Sequence, residues 1–401
     1  MSLTATHVGA DRLAGGTCEW HPGIVDMRVL HAIRTPWAPY SVMFSNDGTR
    51  LAAGGGAWYG NGGVALARLS TGEIAVTPMS PQRQPGYPTD PPTVAGLYFS
   101  ADDRHLVAAT RGSSLSPGPT ILFGVTDLAI AREAAFVPRH EPRRSRGCAT
   151  GVMLTGELAL VRHHTSSLDE LVAVRQFSER LECRGDDTRH PLTHCGMVVR
   201  RGWVFTGGGG SLGLAVWRPE TGVREAGKAA DGLVAVPLAS DEPIQRVHVR
   251  GGRRVTAIAA LPGEDGFLTG GLDGELDRWS FAETLQQERL PTPEGPPGSI
   301  EPELPTTPEV RQSVAGLAWA TYSRDSVVGI VTLCDGERWV SVDAGGRLRL
   351  WRGTTLLGAW TLPAPGTPRS LAAHPTEPCV AVGIKQGGFG RPSSLVLVLE
   401  C

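Results

Sequence analysis

Residues 43–55 read MFSNDGTRLAAGG and residues 98–110 read YFSADDRHLVAAT. Laid over one another with an offset of 55, Phe44 meets Phe99, Ser45 meets Ser100, Asp47 meets Asp102 and Leu51 meets Leu106. A short apolar run precedes each copy, Ser-Val-Met-Phe from Ser41 and Val-Ala-Gly-Leu-Tyr-Phe from Val94. The unit is strand, polar turn, strand: aliphatic and aromatic residues fill the runs, and Ser, Asn, Asp and Gly supply the turn between them.

The same shape returns at Ala259, in AALPGEDGFLTGG, and at Ala372, in AAHPTEPCVAVG. With Ser45, Ser100, Leu261 and His374 as equivalent anchors, the separations are 55, 161 and 113 residues. These are about one, three and two units, so three further units are expected between the anchors. They are read at 148–162 (CATGVMLTGELALVR), at 194–208 (HCGMVVRRGWVFTGG) and at 314–343, where VAGLAWA is the first strand and RWVSVD the second.

The segment after each strand pair is also regular. GLDGELDRW ends at Trp279, AGGRLRLW at Trp351 and SLGLAVW at Trp217. Each is a Gly-containing turn and then a period-2 run into an aromatic, which is a hairpin and a third strand. A fourth strand comes next, as in Thr355-Leu-Leu-Gly-Ala-Trp and Glu73-Ile-Ala-Val. Four antiparallel strands in a unit of this length form one propeller blade, and the fold class read here is all-β, a seven-bladed β-propeller of four-stranded antiparallel blades. The last unit runs out after its third strand, Ser394–Glu400, and an unpaired edge invites aggregation. Residues 24–33 (IVDMRVLHAI) have no unit of their own, and they are expected to complete the last blade and close the ring. The domain reading is an N-terminal tail over 1–23 and one propeller over 24–401, with inserts at 79–93, 132–146 and 286–310.

The pattern resembles the WD-repeat propeller family over about residues 24–401. The Ser- and Asp-containing turns at Ser45 and Ser100 and the strands ending at Trp217, Trp279 and Trp351 carry the resemblance. No Trp-Asp and no Gly-His dipeptide occurs. The family places an Asp six residues before the Trp to tie each blade, and here Asp273 fits while Ser211 and Gly345 stand in the equivalent positions. The resemblance implies that this polar tie is largely missing and that apolar packing between blades carries more of the stability.

Charge and composition bound the function. The chain has 401 residues with a net charge of −2, 52 Gly and 31 Pro. A near-neutral balance argues against a general nucleic-acid binder, and the Gly and Pro content argues against a helical protein. No secretory leader and no membrane-length apolar run is read. The seven cysteines, Cys18, Cys148, Cys183, Cys195, Cys334, Cys379 and Cys401, are odd in number and unspaced, which points to free thiols in a reduced, cytoplasmic protein.

Candidate chemistry is sparse. Cys183, His190, His194 and Cys195 fall in one short stretch, but paired C-x₂₋₄-C spacing is absent and adjacent residues of a strand face opposite sides, so an ordinary inter-blade loop is the reading and no metal is assigned. The Gly runs at 207–210 and 387–390 lack the Lys-Ser/Thr of a phosphate loop. The pairs Asp102-Asp103 and Asp186-Asp187 are expected to face solvent. The inner strands begin on small or apolar residues, with His194 and Arg369 as exceptions, which disfavours a channel enzyme.

Two features suit an interface. Trp58 and Tyr59 stand together in the Gly54–Gly63 hairpin, and Arg143, Arg144 and Arg146 form a dense basic run in the second insert. The resemblance implies a non-enzymatic scaffold or adaptor, without cofactor, that presents a rigid face to cytoplasmic protein partners within a multi-component complex. The alternative is a propeller enzyme or small-ligand sensor with a site in the central channel.

Overall fold

The computed structural model describes residues 27–57, 60–79, 93–100, 102–111, 120–136, 255–262, 266–271, 273–281, 285–291, 325–386 and 393–401, together with the backbone of strands between 148 and 247. The chain folds into four-stranded antiparallel sheets. Sheet A is Ala38–Phe44, Arg50–Ala57, Gly60–Arg68 and Ile74–Pro78, and sheet B is Thr93–Phe99, His105–Arg111, Thr120–Thr126 and Ala129–Phe136. Sheet C is Val255–Ala260, Gly266–Gly271, Leu276–Phe281 and Leu285–Arg289, and sheet D is Val327–Thr332, Arg338–Asp343, Arg347–Arg352 and Thr355–Thr361. Sheet E is Thr367–Ala373, Cys379–Gln386 and Ser393–Glu400, and its fourth strand is Arg28–Thr35. Between B and C, Cys148–Thr155, Leu158–His164, Asp169–Arg175 and Glu182–Arg184 pair in order, as do Met197–Arg200, Trp203–Gly208, Gly232–Pro237 and Gln245–Val247. Among the described residues no helix is long and apolar enough to cross a membrane.

Side chains alternate across each strand, and both faces of the sheets are buried. The core therefore lies in the seams between sheets. Ala52, Val64 and Leu66 of sheet A meet Leu97, Leu106 and Ile121 of sheet B. Leu51, Ala53 and Ala65 point the other way, onto Ala381, Val396 and Val398 of sheet E. Val342, Leu348 and Leu350 of D face Val380, Val382 and Leu397 of E, while Trp339 and Trp351 of D face Leu268 and Leu276 of C. The described order is C, D, E, A, B.

Neighbouring first strands run in one direction: Thr256 Oγ1 donates to Val327 O at 2.7 Å near the strand starts, and Thr332 Oγ1 reaches Ala260 O near the strand ends. Ser370 Oγ donates to Pro39 O at 2.8 Å, and Ser41 Oγ accepts from Leu97 N at 3.0 Å. The sheets consequently share two ends. One carries the turns between first and second strands, here called the turn end. The other carries the hairpins between second and third strands and the connections to the next sheet, here called the hairpin end.

The turn end is stapled sheet to sheet. Gly48 has φ 73° and Asp103 holds the same left-handed conformation at φ 56°, which is uncommon for a residue with a side chain. The buried Asp103 carboxylate accepts from Asn46 N at 2.8 Å, Asn46 Nδ2 at 2.7 Å and Asp47 N at 2.9 Å, so sheet B grips the turn of sheet A. The expectation that Asp102 and Asp103 both face solvent fails here. Asp102 caps its own turn: the Ser100 hydroxyl donates to it at 2.6 Å and holds its carboxyl below the usual carboxylate range, against the opposing effect of burial. Asp103 reaches the neighbouring sheet instead. On the other side, His374 Nε2 donates to Gly48 O at 2.8 Å, and its Nδ1 accepts from Glu377 N at 3.0 Å.

Several boundaries differ from the sequence reading. The strand expected over residues 24–33 is Arg28–Thr35, which runs antiparallel to Ser393–Glu400 with Ile33 opposite Val396. The first strand of sheet D is Val327–Thr332, not the stretch from Val314, which lies outside the described residues. Val327-Val-Gly-Ile has the same Val-x-Gly-aliphatic start as Val94-Ala-Gly-Leu, and the Leu333–Gly336 turn repeats Ser45–Gly48, with Gly336 also at φ 73°. The strands Ala129–Phe136 and Leu285–Arg289 run into the stretches read as inserts at 132–146 and 286–310. They are outermost in their sheets, and at Gln286, Glu288 and Arg289 the side chains are exposed, so this composition resembles a loop. In the fourth group of strands the third is Gly232–Pro237, while Gly213–Leu214 pairs with Gly227–Lys228 apart from it; Trp217 lies outside the described residues.

Nor is the polar tie of the Trp strands missing where it is described. Trp279 Nε1 donates to Thr269 Oγ1 at 2.9 Å and Trp351 Nε1 to Ser341 Oγ at 3.2 Å. In sheet D the fully buried Asp343 holds Arg347 at 2.8 Å and Arg349 at 3.2 Å, two residues upstream of the expected position at Gly345.

Candidate functional site

The first strands form the inner edge of the fold, and in each of sheets A to E the first strand carries a β-bulge near its start. The register with the second strand slips between Pro39 and Ser41, Val94 and Gly96, Val255 and Ala257, Val327 and Gly329, and Pro368 and Ser370. The inserted residues are Tyr40, Ala95, Thr256, Val328 and Arg369. Bulges bend an edge and re-aim one side chain per strand, and they recur next to functional sites. Here they lie at the hairpin end, because each first strand starts there.

Most polar groups along this edge serve the architecture. Ser41, Thr256 and Ser370 bind the neighbouring sheet. Arg369 differs. It is partly buried, and its Nε is buried without a hydrogen-bond partner. Lys385 stands on the adjacent strand opposite Thr367, and burial, then the charge of Arg369, lowers its pKa.

The described strands that flank the sequence-predicted interface residues terminate at this same end. Trp58 and Tyr59 lie in the hairpin between Arg50–Ala57 and Gly60–Arg68, and Arg143, Arg144 and Arg146 in the connection between Ala129–Phe136 and Cys148–Thr155. All five residues lie outside the described residues, as do His190, His194 and Cys195; of Cys183 only the backbone, in Glu182–Arg184, is described. The connections 80–92 and 292–324 also leave from the hairpin end. A small open groove there, lined by Gly345, Gly346, Leu362, Pro363 and Gly366, carries no ionisable side chain.

At the turn end, ligand atoms of His374, Glu377 and Cys379 approach within 4.8 Å of one another. Both imidazole nitrogens are engaged with backbone, and burial, then the Glu377 charge, pushes the Cys379 thiol up to about 12. With both ring nitrogens held by backbone, His374 ties the turns of sheets E and A together as a structural staple. Burial likewise pushes Cys401 up to about 12, whereas Cys334 is exposed. Iodoacetamide at pH 8 is therefore expected to modify Cys334 at least about a hundredfold faster than Cys379 or Cys401, because the thiolate attacks and the two buried groups stay protonated. Peptide mass spectrometry of a labelling time course checks this, and guanidinium should abolish the difference.

The architecture defines the class of protein: a β-propeller of four-stranded antiparallel sheets. A solved structure of the same class is similar to it, the Cps50 (Swd1) beta-propeller domain of Myceliophteria thermophila. It shares 13% identity, with 94% of this chain and 100% of that chain covered and a TM-score of 0.57. At that identity the likeness concerns the fold alone. No family model matches the chain, and no curated protein does.

Proposed function

We propose that this chain is a non-enzymatic interaction scaffold of the WD-repeat kind, whose hairpin end receives a cytoplasmic protein partner within a larger complex. Seven blades close the ring, with Arg28–Thr35 as the outer strand of the last. The antiparallel pairing of Arg28–Thr35 with Ser393–Glu400 and the spacing of about 55 residues support that count.

One observation carries the functional reading. The long connections and the Trp58–Tyr59 hairpin all depart from one end of a framework whose opposite end is occupied by sheet-to-sheet staples. A rigid framework with long segments on one end is how repeat folds present a binding surface. Trp58 and Tyr59 act as apolar anchors, and Arg143, Arg144 and Arg146 as the charged rim.

The test is affinity capture from the native host with mass spectrometry, comparing the wild type with W58A/Y59A and with R143A/R144A/R146A. The aromatic pair is expected to lose at least about tenfold of the specific partner, the equivalent of about 1.4 kcal/mol. The thermal midpoint should stay within about 2 °C of wild type, as for surface positions outside a core. Undiminished capture by both variants would show that the partner uses another face.

A further inference from the structure

Among the described residues, every arginine that is not exposed has a carboxylate within 4.0 Å, except Arg369. Arg50, Arg68, Arg278, Arg338, Arg347 and Arg349 each lie that close to an Asp or Glu. Arg369 makes no such pair, and its Nε is buried without an acceptor. Lys385 stands on the adjacent strand, opposite Thr367. A buried guanidinium nitrogen without an acceptor is unfavourable for the free protein, since a buried polar group is tolerated where a hydrogen-bond partner completes it. The position is also singular in the repeat. The corresponding bulge residues Tyr40, Ala95, Thr256 and Val328 are uncharged, so the bulge that re-aims one residue of each first strand presents a cation in one sheet alone among those described. Tyr40 belongs to the adjoining first strand, which Ser370 ties to that of Arg369 through Pro39 O at 2.8 Å.

We infer that Arg369 is the recognition point for an acidic peptide segment of the partner, seated carboxylate-first at the inner edge of the hairpin end. Guanidinium and carboxylate match in a two-pronged hydrogen bond, which supplies the acceptor that Arg369 Nε lacks. The inference rests on the proposal that the hairpin end is the docking face, and it states what chemistry that face reads.

The experiment uses the full-length purified protein and a fluorescein-labelled hexaglutamate peptide, followed by anisotropy at low and physiological salt. Wild type is expected to bind, with R369M at least about tenfold weaker and R369K intermediate, because a point charge replaces the planar fork. R34A, which removes an exposed arginine of the same sheet, should change affinity less than about twofold, as a screened surface charge does. Inorganic phosphate should compete only at concentrations far above those of the peptide. R369M should melt at or above the wild-type temperature, since no native hydrogen bond or ion pair of Arg369 is lost.

Any of these binding results overturns the inference: no peptide binding by wild type, equal binding by R369M, an equal loss in R34A, or phosphate displacing the peptide at matched concentration. The last would assign the site to a free oxyanion. A melting temperature of R369M several degrees below wild type would make Arg369 a structural residue and overturn it as well. Failure here with the W58A/Y59A capture loss intact would leave the docking face standing and remove only its acidic specificity.

Discussion

Removal of Arg28–Thr35 is expected to make the protein aggregate and lose stability. The strand pairs along its length with Ser393–Glu400, from Arg28 opposite Glu400 to Thr35 opposite Ser394, and Ile33 is buried in the seam between sheets E and A. Without it, the backbone of Ser393–Glu400 becomes an open edge. That strand is Ser-Ser-Leu-Val-Leu-Val-Leu-Glu, with Leu397, Val398 and Leu399 at most 1% exposed. An apolar edge of this kind, rich in Leu and Val, is a template for pairing with other chains. The loss of one strand's hydrogen bonds and apolar contacts is worth several kcal/mol, against a total stability of about 5–15 kcal/mol for a folded domain. Size-exclusion chromatography with light scattering and a urea titration measure both consequences. Adding a synthetic peptide of residues 27–36 should reverse both, and I33D should fall between deletion and wild type. A deletion variant that does not aggregate, with an unchanged urea midpoint, would remove the structural role of this strand.

That pairing shows which features the chain makes legible. Turn chemistry is local, so Ser45-Asn-Asp-Gly and Ser100-Ala-Asp-Asp announce their turns directly, and the Ser-to-Asp hydrogen bonds at 2.6 Å in both confirm why those residues recur. Where a strand is outermost, the local signal weakens. Leu285–Arg289 carries exposed Gln and Glu and reads as loop until it is seen paired with Leu276–Phe281. Where a long connection interrupts the spacing, an apolar stretch such as that from Val314 can imitate the missing strand, although Leu333-Cys-Asp-Gly holds the turn signature that locates Val327–Thr332. The staples are beyond the reach of local signals for a different reason. His374 and Gly48 are 326 residues apart in the chain, and nothing near either residue identifies the other. Asp103 looks like its neighbour Asp102 in sequence. Only the approach of sheet A distinguishes the carboxylate that caps its own turn from the one that grips Asn46 and Asp47. Arg369 is visible in the sequence as a charge out of place on an inner strand, but its want of a carboxylate becomes apparent only when the other arginines that are not exposed are seen with theirs.

The second large effect is expected at Trp351, and it separates what holds the propeller together from what it presents. Trp351 and Trp339 stack with ring centroids 4.9 Å apart and planes 2° from parallel, both essentially without exposure, against Leu268, Leu276 and Leu290 of the neighbouring sheet. The Trp351 indole N–H reaches Ser341 Oγ at 3.2 Å, so its polar atom is satisfied inside the seam. W351A removes the ring from both contacts and strands the Ser341 hydroxyl. Loss of a buried Trp costs about 3–5 kcal/mol when the surroundings cannot collapse into the space, and the aromatic pair adds about 0.5–1.5 kcal/mol beyond burial. A sheet seam has little freedom to collapse, because its walls are fixed by backbone ladders on both sides. W351F should recover more than half of the loss by refilling the volume without the hydrogen bond. Urea unfolding followed by circular dichroism gives the difference, with the midpoint falling sharply for W351A and modestly for W351F. A W351A loss below about 1 kcal/mol, the range of a surface substitution, would mean that the seam between sheets C and D contributes little to stability. With the seam confirmed and W58A/Y59A leaving the midpoint in place, stability would reside between the sheets and recognition at the hairpin end.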